Sequence, residues 1–111
     1  MIRVLLVPEV QQDFKSLAPI LYNLGYFSYL ESSQEYVDEL VDDITETLPR
    51  RQHKKPRTNY FERYGKNVLY ASFRKNKQTE WYAFFTTHEV ENEKIYLVRY
   101  VANNHTVAQY L

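Results

Sequence analysis

Between Lys66 and Leu111 the chain alternates three apolar, aromatic-rich runs, Val68–Phe73, Trp81–Thr87 and Ile95–Val101, with the short polar segments Arg74–Glu80 and His88–Lys94. Runs of this length, rich in Tyr, Phe, Val and Ile and bounded by Asn, Lys and Glu, read as strands joined by hairpins. A three-strand meander has a face that must be covered. That requirement organises the rest of the chain, because two amphipathic segments precede it.

Ile2–Val7 is nearly all apolar, as expected for a strand buried on both faces. Pro8-Glu9 then opens a helix, since Pro is tolerated in a first turn and an acid there suits the helix dipole. Val10, Phe14, Leu17, Leu21 and Leu24 form its stripe. Pro19 interrupts the pattern by removing the bond to the Lys15 carbonyl, which predicts a kink or break near Ala18. Gly25 suits the position just past the helix end. A second helix begins between Ser28 and Ser33, where Ser28…Glu31 and Ser32…Glu35 both have capping-box spacing. Val37, Leu40, Val41, Ile44 and Leu48 are its core stripe, and Leu48-Pro49 ends it. The short link between the helices predicts a helical hairpin.

The predicted fold class is α+β: an N-terminal strand and a helical hairpin packed on an antiparallel meander, in one domain spanning residues 1–111. The other sheet face, rich in Tyr, Arg and Lys, is expected to be open. In the first run Leu69, Ala71 and Phe73 share one face. The third run divides into Ile95, Leu97, Arg99 and Val101 against Tyr96, Val98 and Tyr100, and neither set is cleanly apolar. Thr58–Gly65 is irregular and is expected to tuck an aromatic or two under the sheet edge.

The 111 residues suffice for a real core, and 44% hydrophobic with 25% charged residues is ordinary globular composition. Eleven Tyr suit half-buried sheet surface, where the ring packs and the hydroxyl stays wet. Cysteine is absent, which excludes disulfides and thiol chemistry. The opening apolar run is too short for a signal sequence or a membrane span, so a cytoplasmic protein without membrane association is expected. With 2 Gly, Gly-rich phosphate loops are impossible, and the 3 His lack metal-ligand spacing, so neither metal nor cofactor is expected.

Formal net charge is zero, but residues 31–46 hold seven acids and no base, whereas residues 50–77 hold ten bases and the single acid Glu62. Such segregation serves a polyanion or an acidic partner, unless helix and loop neutralise each other in space. Within the block, Lys54, Lys55 and Arg57 could track a phosphate backbone, and the nearby Tyr60, Phe61 and Tyr64 could stack bases. Arg74 reads first as part of a charged hairpin turn. Beyond the last strand, Asn103, Asn104, His105 and Tyr110 gather polar and titratable groups. His105 suits acid–base work near neutral pH, and the alternative is a plain Asn turn with Tyr110 as a packed terminal anchor.

The element order, the acidic second helix, the basic loop and the run Ile95-Tyr96-Leu97-Val98-Arg99-Tyr100-Val101 leading into Asn103-Asn104-His105…Tyr110 resemble the RelE/ParE superfamily of bacterial toxins. The resemblance covers essentially the whole chain as a pattern of elements, and its most specific part is the C-terminal end. It implies a toxin of a toxin–antitoxin pair, a cognate antitoxin partner, and for the ribonuclease members cleavage of mRNA on the ribosome by the RNA's own 2′-hydroxyl. His105 and Tyr110 match the family's C-terminal catalytic region, and Arg99, Lys54, Lys55, Arg57 and Arg74 would contact the nucleic acid. Compared with those ribonucleases, Tyr70 and Ser72 stand in place of lysines, Glu80-Trp81 where an Arg is expected, and Asn103-Asn104 in place of Arg. Fewer cations mean less stabilisation of phosphoryl chemistry. The alternative expectation is therefore a non-catalytic binding module, a gyrase inhibitor or a protein-interaction domain, with a homodimer among its partners.

Overall fold

The structure, a computed structural model, describes residues 1–107 and 110–111. Strand β1 (Ile2–Leu6), helices α1 (Pro8–Asn23) and α2 (Leu30–Thr47), strands β2 (Leu69–Arg74), β3 (Glu80–Val90) and β4 (Glu93–Asn103), and a helical turn α3 (Asn104–Val107) follow in order. The α+β expectation holds, but the sheet is mixed. Its strand order is β1-β4-β3-β2, with β1 parallel to β4 and the other pairs antiparallel.

β1 is therefore an edge strand and not one buried on both faces. Only β4 flanks it, so its apolar run covers the helix side through Val4 and Leu6 while Ile2 and Leu5 remain exposed. α1 is continuous through Pro19, so of the kink or break expected near Ala18 the break does not occur. Pro19 and Lys15 both face outward, so the carbonyl freed by the missing N–H can meet solvent, while the inner side is held by packing. Phe14 and Ala18 are buried there, and the buried Ser33 hydroxyl donates to the Ala18 carbonyl at 2.6 Å, tying that turn to α2. α1 ends as expected, with Gly25 at φ +84°. The Tyr26 and Gly25 N–H groups return to the Leu21 and Tyr22 carbonyls, the double bond pattern of a Schellman stop. Neither capping box forms: α2 starts at Leu30 after Tyr29, with no side-chain cap.

The helix-side core joins Val10, Phe14, Val37, Leu40, Ile44 and Leu48 to Phe73, Phe85 and Val98 of the sheet. Trp81 closes its far end and donates its indole N–H to the Tyr36 hydroxyl at 2.9 Å.

The Tyr-rich face is not open. A second core of Phe61, Val68, Tyr70, Tyr82, Phe84, Ala102 and Val107 lies on it. Its cover is the segment 54–67, which crosses the sheet as a strap. The strap rounds the β2 edge where Lys54 exchanges two backbone hydrogen bonds of 2.9 Å with Tyr70. It then stacks Phe61 on Phe84 of β3 (ring centroids 4.1 Å apart) and Tyr64 on Tyr100 of β4 (4.2 Å). With both faces covered, β3 buries six consecutive residues, Trp81 to Thr86.

The mixed pattern of the third run has a mechanical cause. Phe84 and Phe85 are adjacent on β3 but face Tyr100 and Val98, so Arg99 is an extra residue in β4. A bulge of this kind shifts side-chain alternation by one. Tyr96, Val98 and Val101 consequently meet the helices, and Tyr100 and Ala102 meet the strap.

Candidate nucleic-acid interface

The charged segments are divided between the two faces of the sheet. α2, with its acids, lies on one side. Two bases from outside reach it: Arg51 clasps both carboxylate oxygens of Asp43 at 2.8 and 2.9 Å, and Lys75 approaches Glu39 at 3.7 Å. Arg51 also donates to the Ser72 carbonyl and lies 4.4 Å from the Phe73 ring centroid, so it is a structural group. Neutralisation stops there. Lys54, Lys55, Arg57, Arg63 and Lys66 are exposed on the strap and, among the described residues, none is in an ion pair.

The strap displays these bases because its aromatic residues are spent on anchoring. Phe61 is fully buried, and Tyr60 stacks on Tyr110 with centroids 3.9 Å apart and planes within 4°. Thr58 donates its hydroxyl hydrogen to the Tyr110 carbonyl at 2.6 Å. Tyr110 is thus packed against the strap through both its ring and its carbonyl.

His105 sits elsewhere. It is exposed on α3, its backbone N–H donates to the Asn103 side-chain oxygen at 3.0 Å, and it borders a groove of about 470 Å³. Leu17, Leu21, Phe27 and Trp81 supply the groove's apolar wall. No hydrogen bond links His105 to Tyr110 among the described residues, and the two lie in different surroundings. Arg74 is exposed at the end of β2, opposite Glu80 of β3.

Arg99, the bulge residue, is half-buried. Its Nε–H donates to the Thr86 hydroxyl at 2.8 Å, and that oxygen is 2.9 Å from His88 Nε2. A cleft of about 380 Å³ opens above it, bordered by Arg63, Tyr64, Tyr100, Val7, Glu9 and Asp13. Arg63 is held there by its Nε–H bond to the Tyr60 carbonyl at 3.0 Å, with its guanidinium 4.2 Å from the Tyr60 ring centroid. Burial against this packing, reinforced by the Tyr64 hydroxyl, pushes the Tyr100 phenol up to about 12. Burial raises Tyr82 too, with the Glu80 carboxylate adding to the effect.

Sequence reasoning found the strap's bases but passed over Arg63, Tyr100 and the acids Glu9 and Asp13 as members of one cleft. The irregular register of the third run was the available signal, since it reflects the bulge that turns Arg99 toward the strap.

Comparison with family models, with curated proteins and with solved structures returned no match. Among the described residues no helix is long and apolar enough to cross a membrane.

Proposed function

We propose that this chain is a RelE/ParE-like toxin module that acts by binding RNA through its strap, without a catalytic constellation of its own. The observation that carries the reading is the strap's row of exposed bases, Lys54, Lys55, Arg57, Arg63 and Lys66, left without carboxylate partners on the face opposite the acidic helix. Unpaired cations along one face release counterions from a phosphate backbone, which makes binding favourable and strongly salt-dependent. The element order and the C-terminal His-to-Tyr stretch support the family part of the proposal. Tyr110, occupied by Tyr60 and Thr58, supports binding over cleavage. A cognate antitoxin is the protein partner the reading requires.

The test is titration of a fluorescent single-stranded RNA at several salt concentrations. Replacing Lys54, Lys55 and Arg57 together by Gln should reduce the slope of log affinity against log salt by about 2, at roughly 0.7 per phosphate contact. An unchanged slope refutes the strap as the binding surface. Expression in a bacterial host should arrest growth without new transcript ends.

His105 keeps a second reading in view, that of ribosome-dependent mRNA cleavage. It is exposed beside a polar turn at the edge of a groove, where an imidazole can exchange protons. New transcript ends at ribosome-bound codons, abolished by His105→Ala, would select that reading. Arrest with intact transcripts and inhibited gyrase supercoiling would select the gyrase-type alternative.

A further inference from the structure

We propose that the cleft between Arg63 and Arg99 is a discrete subsite for one phosphodiester group of a single-stranded RNA. The inference rests on the RNA-binding reading for its ligand, but the site stands on its own geometry.

Each guanidinium is held by one nitrogen on a neutral acceptor: Arg99 Nε on the Thr86 hydroxyl and Arg63 Nε on the Tyr60 carbonyl. Among the described residues the terminal nitrogens of both have no protein acceptor. An Arg fixed through Nε keeps its two terminal amino groups as a preorganised fork, the geometry that recognises two oxygens of one phosphate. Packing restricts both side chains further. Gly65 leaves room for Arg99, because a Cβ there would lie 3.2 Å from Arg99 Cδ, and the Arg63 guanidinium sits over the ring of Tyr60, itself stacked on Tyr110. Little conformational entropy remains to be lost when a ligand arrives.

The carboxylates narrow the ligand. Glu9 and Asp13, four residues apart on α1, border the same cleft and lie in no ion pair among the described residues. Two guanidinium and two carboxylate charges leave the cleft close to neutral. Such a site gives a multiply charged di- or triphosphate no net attraction to offset its desolvation and the two nearby carboxylates, a penalty that is smaller for a singly charged phosphodiester held by the two forks. Arg63 belongs to both the strap and the cleft, so a strand bound along the strap can deliver its backbone there. Tyr64 and Tyr100 form its aromatic wall.

The experiment uses the full chain and three probes, a uridine hexamer, ATP and a Glu-rich peptide, each titrated against six forms of the protein, the Lys54/Lys55/Arg57 triple variant among them. The wild type should bind the hexamer and prefer it to ATP. Arg63→Ala, at an exposed position that leaves both cores intact, and Arg99→Lys, which keeps the charge and loses the fork, should each weaken the hexamer about tenfold. Glu9→Gln and Asp13→Asn should each tighten it, an effect that a purely structural role for the cleft does not produce. Tighter binding of ATP than of the hexamer overturns the phosphodiester assignment. Peptide binding that is lost in Arg63→Ala while the hexamer is unaffected gives the cleft to a protein carboxylate and overturns the proposal. Unchanged hexamer affinity in both Arg variants, with loss in the Lys54/Lys55/Arg57 variant, overturns the subsite and leaves the strap reading standing. A wild type that does not bind the hexamer removes both.

Discussion

Arg99 passes directly beneath Gly65: a Cβ at Gly65 would stand 3.2 Å from Arg99 Cδ and 3.0 Å from Thr86 Cγ2. Gly65 also has φ +151°, a conformation that side chains disfavour. Gly65→Ala should therefore cost about 1–3 kcal/mol of stability. It should also weaken RNA binding by displacing Arg99. Urea unfolding and RNA titration of the same preparation check this, and an unshifted urea midpoint would contradict the close approach.

The Tyr100 phenol, pushed up to about 12 by burial, gives the protein an alkaline limit. Its folded-state value lies above the value of about 10 expected in the unfolded chain. The unfolded chain therefore loses this proton first, and the stabilisation, full below pH ~10, drains away as pH climbs toward 12. Tyr82 acts in the same direction. Thermal unfolding between pH 9 and 12 should show a steeper fall in Tm for the wild type than for Tyr100→Phe. Parallel curves would mean that Tyr100 titrates normally.

Ser33 is fully buried, and its hydroxyl reaches the Ala18 carbonyl next to Pro19. Ser33→Ala should destabilise by about 1 kcal/mol through loss of that bond. Hydrogen exchange should rise most in the turn around Ala18. Unaltered exchange there would show that packing alone keeps α1 continuous through Pro19.

Arg51 and Lys54 are three residues apart and should respond in opposite ways. Arg51→Ala breaks the contacts to Asp43, the Ser72 carbonyl and the Phe73 ring, and should cost about 1–2 kcal/mol while leaving RNA affinity unchanged. Lys54→Ala removes an exposed charge, since the pairing with Tyr70 uses the backbone. Stability should stay within ~0.5 kcal/mol, and RNA affinity should fall. Parallel thermal melts and RNA titrations separate the two, and a Lys54→Ala variant that binds as well as the wild type counts against the strap.

The elements whose local pattern agrees with their environment were readable from the chain alone. The α2 stripe, the Gly25 stop, the Leu69/Ala71/Phe73 face and the order of elements all belong to this group. Three features needed information that lies far away in sequence. Ile2–Val7 is apolar enough for an interior strand, and only the pairing pattern makes it an edge. Pro19 is a helix breaker locally, and it is overruled by packing of the turn around it against α2. The segment expected to be irregular holds a 3-10 helix, Tyr60–Tyr64, too short to leave a detectable period, and individual aromatic side chains, Tyr60, Phe61 and Tyr64, hold the strap. For the site, the bases were visible as a cluster, whereas the cleft depends on one inserted residue in β4 and on acids from α1, a relationship no spacing rule expresses.

The strap also alters how this domain can vary over time. A sheet with one bare face lets that face drift freely while the other keeps the fold. Here alternate residues of β3 answer to different layers: Trp81, Ala83 and Phe85 to the helices, Tyr82 and Phe84 to the strap side. A change of volume in either layer is transmitted through the same backbone to the other. A substitution that changes volume in the helical hairpin is thus felt by the strap as well, and a surface segment carries the steric demands ordinarily reserved for a core.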